Sequence, residues 1–132
     1  MKKILILGGG FGGVRCALDL EKKLKGQAEI TVIDKNSYHL FLPSLYEVAS
    51  VYGIKKDPFA VKIRKTICIP YGDIFAGKNI NPHTHIGQFL KKFFLPWQKS
   101  NVSVGVNFIQ AEIFEVDLKA KSVKTRGGEV LY

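Results

Sequence analysis

The sequence predicts an α/β fold in which parallel strands alternate with helices. Three observations support this prediction: an apolar run at residues 4–7 leads into a glycine cluster, a helical pattern follows, and a second apolar run at 30–33 ends at Asp34. A strand, a helix and a strand joined by short connections are typical of a βαβ unit, whose two strands lie parallel in one sheet. We expect this unit to form the core.

The glycine cluster follows the first strand directly and has the spacing G-x-G-x-x-G. Gly8 allows a sharp turn off the strand, Gly10 leaves room for a pyrophosphate near the backbone, and Gly13 allows close packing of the helix. The N–H groups at the start of the helix favour an anion there. The spacing therefore predicts a dinucleotide site formed by Gly8, Gly9, Gly10, Phe11, Gly12 and Gly13.

The helix and the second strand support the same site. The helix is predicted to run to about Lys25, with Gly26 as its C-terminal stop and Ala17 as a small residue facing the strand. Residues 30–33 are all β-branched, which suits a strand buried on both faces. Asp34 then supplies a carboxylate that can accept hydrogen bonds from both hydroxyls of a ribose. The alternative is an ordinary βαβ unit with a tight glycine turn and a surface aspartate.

Length, composition and charge limit the class of protein. The 132 residues, 46% of them hydrophobic, suit about one globular domain. The chain has no apolar run of about 18 residues and no secretory signal pattern, so we expect a cytoplasmic protein. The net charge of +9 comes from lysines spread along the chain, which predicts a solvated basic surface and no nucleic-acid site. A further candidate partner is an anionic membrane surface, which the protein would bind peripherally on the inner face of the membrane.

Cysteine and histidine spacing indicates neither a redox centre nor a metal site. Cys16 and Cys68 are far apart and belong to no C-x-x-C motif, so we predict no disulfide and no redox dithiol. His83 and His85 have no third ligand of matching type nearby in the sequence. We therefore predict no metal.

The stretch after Asp34 has the pattern N-x-Y-H-x-F-x-P-x-L-Y over residues 36–46. Together with the glycine motif and Asp34, it resembles the N-terminal flavin-binding part of the type II NADH dehydrogenases. These are single-subunit NADH:quinone oxidoreductases of the pyridine nucleotide-disulfide oxidoreductase superfamily. The resemblance covers residues 1–56 and 106–132, and its motif positions are occupied by Tyr38, His39, Phe41, Pro43, Leu45 and Tyr46.

The resemblance implies FAD as the dinucleotide, with NAD(P)H as co-substrate and a quinone as electron acceptor of the complete enzyme. It also implies that Lys35 lies over the adenine or its phosphate, and that the backbone of Ile113 reads the adenine edge. From composition alone, His39 is either a hydrogen-bonded core histidine or a contact to flavin or substrate. No catalytic residue is assigned.

The remaining sequence predicts short elements around this core. Residues 57–64 resemble the short helix that the family places before its third strand, and 66–70 suit a brief extended segment. Residues 81–105 match nothing in the family and are interpreted as an insertion carrying a short amphipathic helix. Residues 108–109 suit the third parallel strand. An antiparallel meander is predicted at 112–117, 122–125 and 129–132, with a tight turn at 126–128.

The domain prediction is that residues 1–132 form the N-terminal part of a Rossmann-like FAD-binding domain, truncated before its later strands. We then expect the strand at 4–7 to expose an edge that favours self-association or pairing with a missing C-terminal part. We also expect the chain alone to be inactive as an NADH oxidase. Three alternatives stay open: a sulfide:quinone oxidoreductase, which relies on cysteines beside the flavin, a simple NAD-binding dehydrogenase, and a non-catalytic nucleotide-binding or membrane-surface module.

Overall fold

A computed structural model describes residues 1–51, 67–75 and 105–132. The helices are α1 (Phe11–Leu24), α2 (Leu45–Val51), which follows a 3-10 turn at Leu42–Ser44, and α3 (Tyr71–Phe75). The strands are β1 (Lys2–Leu7), β2 (Ala28–Asp34), β3 (Tyr38–Leu40), β4 (Cys68–Pro70), β5 (Val106–Gln110), β6 (Ile113–Asp117), β7 (Ser122–Thr125) and β8 (Gly128–Leu131).

A parallel sheet with strand order β1-β2-β5 forms the centre of the fold. Ile30 of β2 lies opposite Ile4 of β1 on one side and opposite Val106 of β5 on the other. The predicted βαβ unit and the third parallel strand are therefore confirmed. In this sheet β1 lies at one edge, and the self-association expected from that edge stays a prediction.

Helix α1 covers one face of the sheet. Val14, Ala17 and Leu18 are buried against the strands, and Ala17 is fully covered, as predicted for a small residue at this contact. The helix ends at Leu24, where Lys25 takes a left-handed conformation and donates its N–H to the carbonyl of Glu21. The predicted stop is confirmed, although the left-handed turn begins at Lys25 rather than at Gly26.

The predicted antiparallel meander is also confirmed. β6 pairs with β7 and β7 pairs with β8. At the second turn the hydroxyl of Thr125 donates to the carbonyl of Gly128 at 2.8 Å, and Gly128 has a φ of 127° that favours glycine. Val123, on the central strand, is completely buried.

A short two-stranded ladder places His39 and Tyr71 beside the glycine loop. β3 and β4 run antiparallel, with His39 opposite Ile69. The ladder is extended at both ends, because Phe41 donates its N–H to the carbonyl of Ile67 at 2.8 Å and Tyr71 donates to that of Ser37 at 3.2 Å. The pairing brings residues from 37–41 beside residues from 67–71.

Two predicted segments, the helix at 57–64 and nearly all of the insertion at 81–105, lie outside the described residues, and both stay predictions. Of the extended segment at 66–70, residues 68–70 are a strand. No helix among the described residues is long and apolar enough to cross a membrane. Within the same ranges no cluster of three His, Cys, Asp or Glu side chains suits a metal ion. Cys16 is exposed, Cys68 is half-buried, and both are free thiols.

Candidate dinucleotide-binding site

The glycine loop joins β1 to α1, and its backbone geometry requires glycine at Gly8 and Gly13. Gly8 has a φ of 96° and donates its N–H to the carbonyl of Ile33 in β2 at 2.8 Å. The chain therefore turns at a residue that is hydrogen-bonded to the neighbouring strand. A Cβ on Gly13 would overlap the carbonyl oxygen of Gly8 and lie 3.5 Å from Cγ2 of Ile6. The expected roles of both glycines in turning and close packing are therefore met.

The outer face of the loop is open at the N-terminus of α1. Gly10 is the N-cap residue, and its carbonyl accepts the N–H of Val14 at 3.0 Å. No side chain caps the helix, and its first turn carries no acidic residue. Among the described residues, a Cβ on Gly10 or Gly12 would meet no atom within 4 Å. The described residues therefore leave room for a phosphate at the positive end of the helix dipole.

Asp34 lies beside the loop at the carboxyl end of β2. Its Oδ2 accepts the N–H of Gly9 at 2.7 Å, and its Oδ1 accepts the N–H of Asn36 at 2.8 Å. An ionised carboxylate offers about four acceptor positions, so capacity remains for the hydroxyls of a ribose. The carboxylate therefore holds the loop and keeps acceptor positions for a ligand.

The inner face of the loop is occupied by two side chains that bind one carbonyl. The oxygen of Gly9 accepts the hydroxyl of Tyr71 at 2.7 Å and Nδ1–H of His39 at 3.0 Å. A Cβ on Gly9 would overlap the hydroxyl and ring of Tyr71. Gly9 and Gly10 are neighbours in sequence, yet Gly9 packs against the side chain of Tyr71, whereas a Cβ on Gly10 would meet no described atom within 4 Å.

Aromatic contacts hold the two donors in place. His39 is 1% exposed, and the ring of Phe11 meets it edge-on with a centroid distance of 4.7 Å. The ring of Tyr71 lies 4.5 Å from that of Phe108 and stacks on that of Phe75 at 6.0 Å. His39 is thus a buried, hydrogen-bonded core histidine that also contacts the loop, as the first of the two interpretations expected.

Burial also sets the ionisation of these two groups. Desolvation lowers the pKa of His39 below its usual 6.5, and the Gly9 carbonyl and the charge of Asp34 only partly oppose this shift. Desolvation, followed by the negative charge of Asp34, raises the pKa of Tyr71 well above its usual 10. Both groups are therefore neutral proton donors near pH 7.

The other predicted site residues are Phe11, Lys35 and Ile113. The ring of Phe11 packs into the core, so any contact with a phosphate would come from its backbone. Lys35 is exposed, and its carbonyl accepts Nε2 of Gln110 at 3.2 Å. The N–H of Ala111 donates to the carbonyl of Asp34 at 2.9 Å, at the end of β2. Strand β6 begins two residues later, at Ile113.

The sequence analysis did not identify Tyr71 or the ladder that carries it. One signal was present, because the motif G-x-G-x-x-G does not require glycine at its second position and this chain has Gly9 there. An additional glycine in a loop indicates that another group approaches the backbone closely. The approaching group is the ring of Tyr71.

Comparisons with known proteins identify the family of this chain. A family model described as "Pyridine nucleotide-disulphide oxidoreductase" matches residues 2–130. A type II NADH:quinone oxidoreductase from Staphylococcus epidermidis is 30% identical over 128 residues, which are 96% of this chain and 23% of that protein. The chain thus spans about a quarter of the length of this relative. The predicted resemblance is confirmed.

Two solved structures share the fold. The sulfide:quinone oxidoreductase of the hyperthermophilic bacterium Aquifex aeolicus has a TM-score of 0.61 at 23% identity, over 100% of this chain and 23% of that one. The NDH2 of Plasmodium falciparum has a TM-score of 0.57 at 21% identity, over 99% of this chain and 20% of that one. With the match to the family model over nearly all of its residues, this chain belongs to the pyridine nucleotide-disulphide oxidoreductase family.

Proposed function

We propose that this chain forms the part of a flavoprotein quinone oxidoreductase that binds the adenosine and pyrophosphate half of FAD. In the complete enzyme, FAD held by these residues would supply the redox chemistry that links oxidation of NAD(P)H to reduction of a quinone. The observation that carries the proposal is the open surface over Gly10 and Gly12 at the uncapped N-terminus of α1, with Asp34 at the end of the neighbouring strand.

Each residue in this surface has a role that its position supports. Backbone N–H groups of the loop donate to the pyrophosphate, and the dipole of α1 adds a favourable field. The carboxylate of Asp34 accepts hydrogen bonds from the ribose hydroxyls. Lys35 follows Asp34 directly in the chain, and Ile113 lies two residues after Ala111, whose N–H donates to the carbonyl of Asp34. We propose that Lys35 and the backbone of Ile113 contact the adenine half.

Among the quinone oxidoreductases, the type II NADH:quinone class is the proposed one. Its support is the 30% identity over 128 residues, whereas the sulfide:quinone enzyme is similar in fold only. Cys16 and Cys68 lie on separate elements, one exposed on α1 and the other half-buried in β4, which gives the sulfide:quinone alternative no additional support. The net charge of +9 supports a peripheral position on an anionic membrane surface.

A substitution at Gly10 tests the proposed phosphate position. Gly10→Val should abolish FAD binding, because a branched side chain would fill the space that the phosphates need. The backbone at Gly10, with φ −65° and ψ −174°, accepts any residue, so the fold should be retained. Calorimetric titration with FAD and with ADP measures binding, and far-UV circular dichroism checks the fold.

Gly127→Val, in the turn before β8, is the matched control, since the nearest atom to a Cβ there is 3.8 Å away. It should bind FAD as the wild type does. FAD affinity that is unchanged in Gly10→Val would contradict the proposed site.

Substitution of Asp34 tests the ribose contact separately. Asp34→Asn keeps an oxygen that can accept the N–H of Gly9 but removes the charge. FAD affinity should fall by about 1–3 kcal/mol, as expected for the loss of a charge-assisted hydrogen bond. Titration with ADP and with pyrophosphate alone locates the effect: the ADP affinity should fall, and the pyrophosphate affinity should not.

A further inference from the structure

Both peptide groups of Gly9 are held by side chains distant in the sequence. Its N–H donates to Asp34 at 2.7 Å. Its carbonyl oxygen accepts two donors, Tyr71 at 2.7 Å and His39 at 3.0 Å. A carbonyl that accepts two side-chain hydrogen bonds in a buried site has little freedom to rotate, because rotation would leave two buried donors unsatisfied.

The orientation of the Gly9 carbonyl determines where the next N–H points. The described residues contain no cis peptide bond, and in a planar trans peptide the N–H of Gly10 points opposite to the carbonyl of Gly9. The hydrogen bonds from Tyr71 and His39 hold that carbonyl toward the inner face of the loop. The N–H of Gly10 is therefore directed to the outer face, where a Cβ on Gly10 meets no atom within 4 Å.

We propose that Tyr71 and His39 are positioning residues for the pyrophosphate, acting through the Gly9 carbonyl to direct the N–H of Gly10 at the ligand; this inference rests on the proposed function. Both side chains are buried beneath the loop, so they act on the ligand through the loop. Their joint effect is to prepare the loop for the anion before it arrives, which lowers the cost of ordering the loop on binding.

Gly9 completes the arrangement. Its lack of a Cβ lets the Tyr71 ring come close enough for the hydroxyl to reach the carbonyl. The ring is itself fixed by Phe108 and Phe75, so the hydroxyl has a defined position. The glycine at the second position of the motif is thus explained by a hydrogen bond on the side away from the ligand.

The test compares ligands with and without phosphates. Tyr71→Phe removes only the hydroxyl and keeps the ring packed. It should weaken binding of ADP and FAD by about twofold to twelvefold, the range expected for one neutral hydrogen bond, and leave adenosine binding unchanged. Nuclear magnetic resonance titration of the 132-residue chain measures all three affinities.

Conservative substitutions and a matched control sharpen the result. His39→Leu should lower ADP affinity in the same way, whereas His39→Asn, which keeps an N–H donor close to the position of Nδ1, should restore most of it. Tyr132→Phe removes the same hydroxyl from the last residue of the chain and should bind ADP as the wild type does.

The outcomes separate the two proposals. ADP affinity that falls in Tyr71→Phe while adenosine affinity does not supports the positioning role. Unchanged ADP affinity in Tyr71→Phe overturns the positioning role and leaves the proposed function standing. An equal loss of affinity for ADP and adenosine also overturns the positioning role, because it would indicate a general structural effect. A wild-type chain that binds neither FAD nor ADP overturns the proposed function, and the positioning role with it.

Discussion

The two faces of the glycine loop differ in what lies against them. On the inner face, the carbonyl of Gly9 accepts two buried donors and a Cβ would strike Tyr71. On the outer face, no atom of the described residues lies within 4 Å of a Cβ on Gly10 or Gly12, and none of their side chains caps the helix N-terminus. The difference shows that neighbouring glycines in one loop have different roles. Gly9 and Gly13 allow the protein to pack closely against itself, whereas Gly10 and Gly12 border the surface where we propose that the ligand binds.

The largest effect on stability is expected at Gly13. In Gly13→Ala the new methyl group would overlap the carbonyl oxygen of Gly8, and backbone atoms cannot move aside cheaply. The free energy of unfolding should fall by about 3 kcal/mol, the upper end of the usual range for overpacking. Gly12→Ala is the control on the same helix, because its methyl group would have no described atom within 4 Å. Its free energy of unfolding should be unchanged or slightly higher. Urea denaturation of both variants measures the difference, and equal stabilities would contradict the close contact.

A second prediction concerns coupling between Gly9 and Tyr71. Gly9 has no positive φ, so Gly9→Ala is unfavourable only because the methyl group meets the Tyr71 ring. We expect a loss of about 1–3 kcal/mol in the wild-type background. The loss should be smaller by about 1 kcal/mol when Tyr71 is replaced by Leu, which lacks the outer ring atoms and the hydroxyl. A double-mutant cycle from urea denaturation checks this, and strictly additive losses would show that the two residues do not meet.

The smallest expected effect is the pH dependence that His39 contributes to stability. Its pKa is lower in the folded chain than the unfolded value near 6.5, so below about pH 6.5 the unfolded chain binds a proton that the folded chain does not. The free energy of unfolding should therefore fall as the pH falls from 7 toward 5, with a slope of at most about 1.4 kcal/mol per pH unit. His39→Asn should lose this contribution. Denaturation of wild type and variant at several pH values measures it, and parallel profiles would contradict burial of a neutral imidazole.

The outer face of the loop was predictable from the sequence because its determinants are local. The strand, the glycine spacing, the small Ala17 and the β-branched run before Asp34 are each visible within a short window. The meander was predictable for the same reason, since alternation and a Gly-Gly turn mark its strands.

The inner face was not predictable because it depends on a distant pairing. β3 and β4 are three residues each, too short for a pattern, and they are separated by 27 residues of chain. Tyr71 then looks like any core aromatic residue, and only the ladder shows that its hydroxyl reaches the Gly9 carbonyl. The same holds for His39, whose two interpretations could be separated only by its position under the loop.

The most direct test of the central claim observes the glycine amides while ligand is added. In a chain labelled with 15N-glycine, saturating ADP should shift the amide resonances of Gly10, Gly12 and Gly13, on the outer face and at the start of α1. The resonances of Gly26 and Gly127, in turns remote from the loop in sequence, should stay in place. Shifts confined to those remote glycines, or no shift at any glycine, would contradict the account.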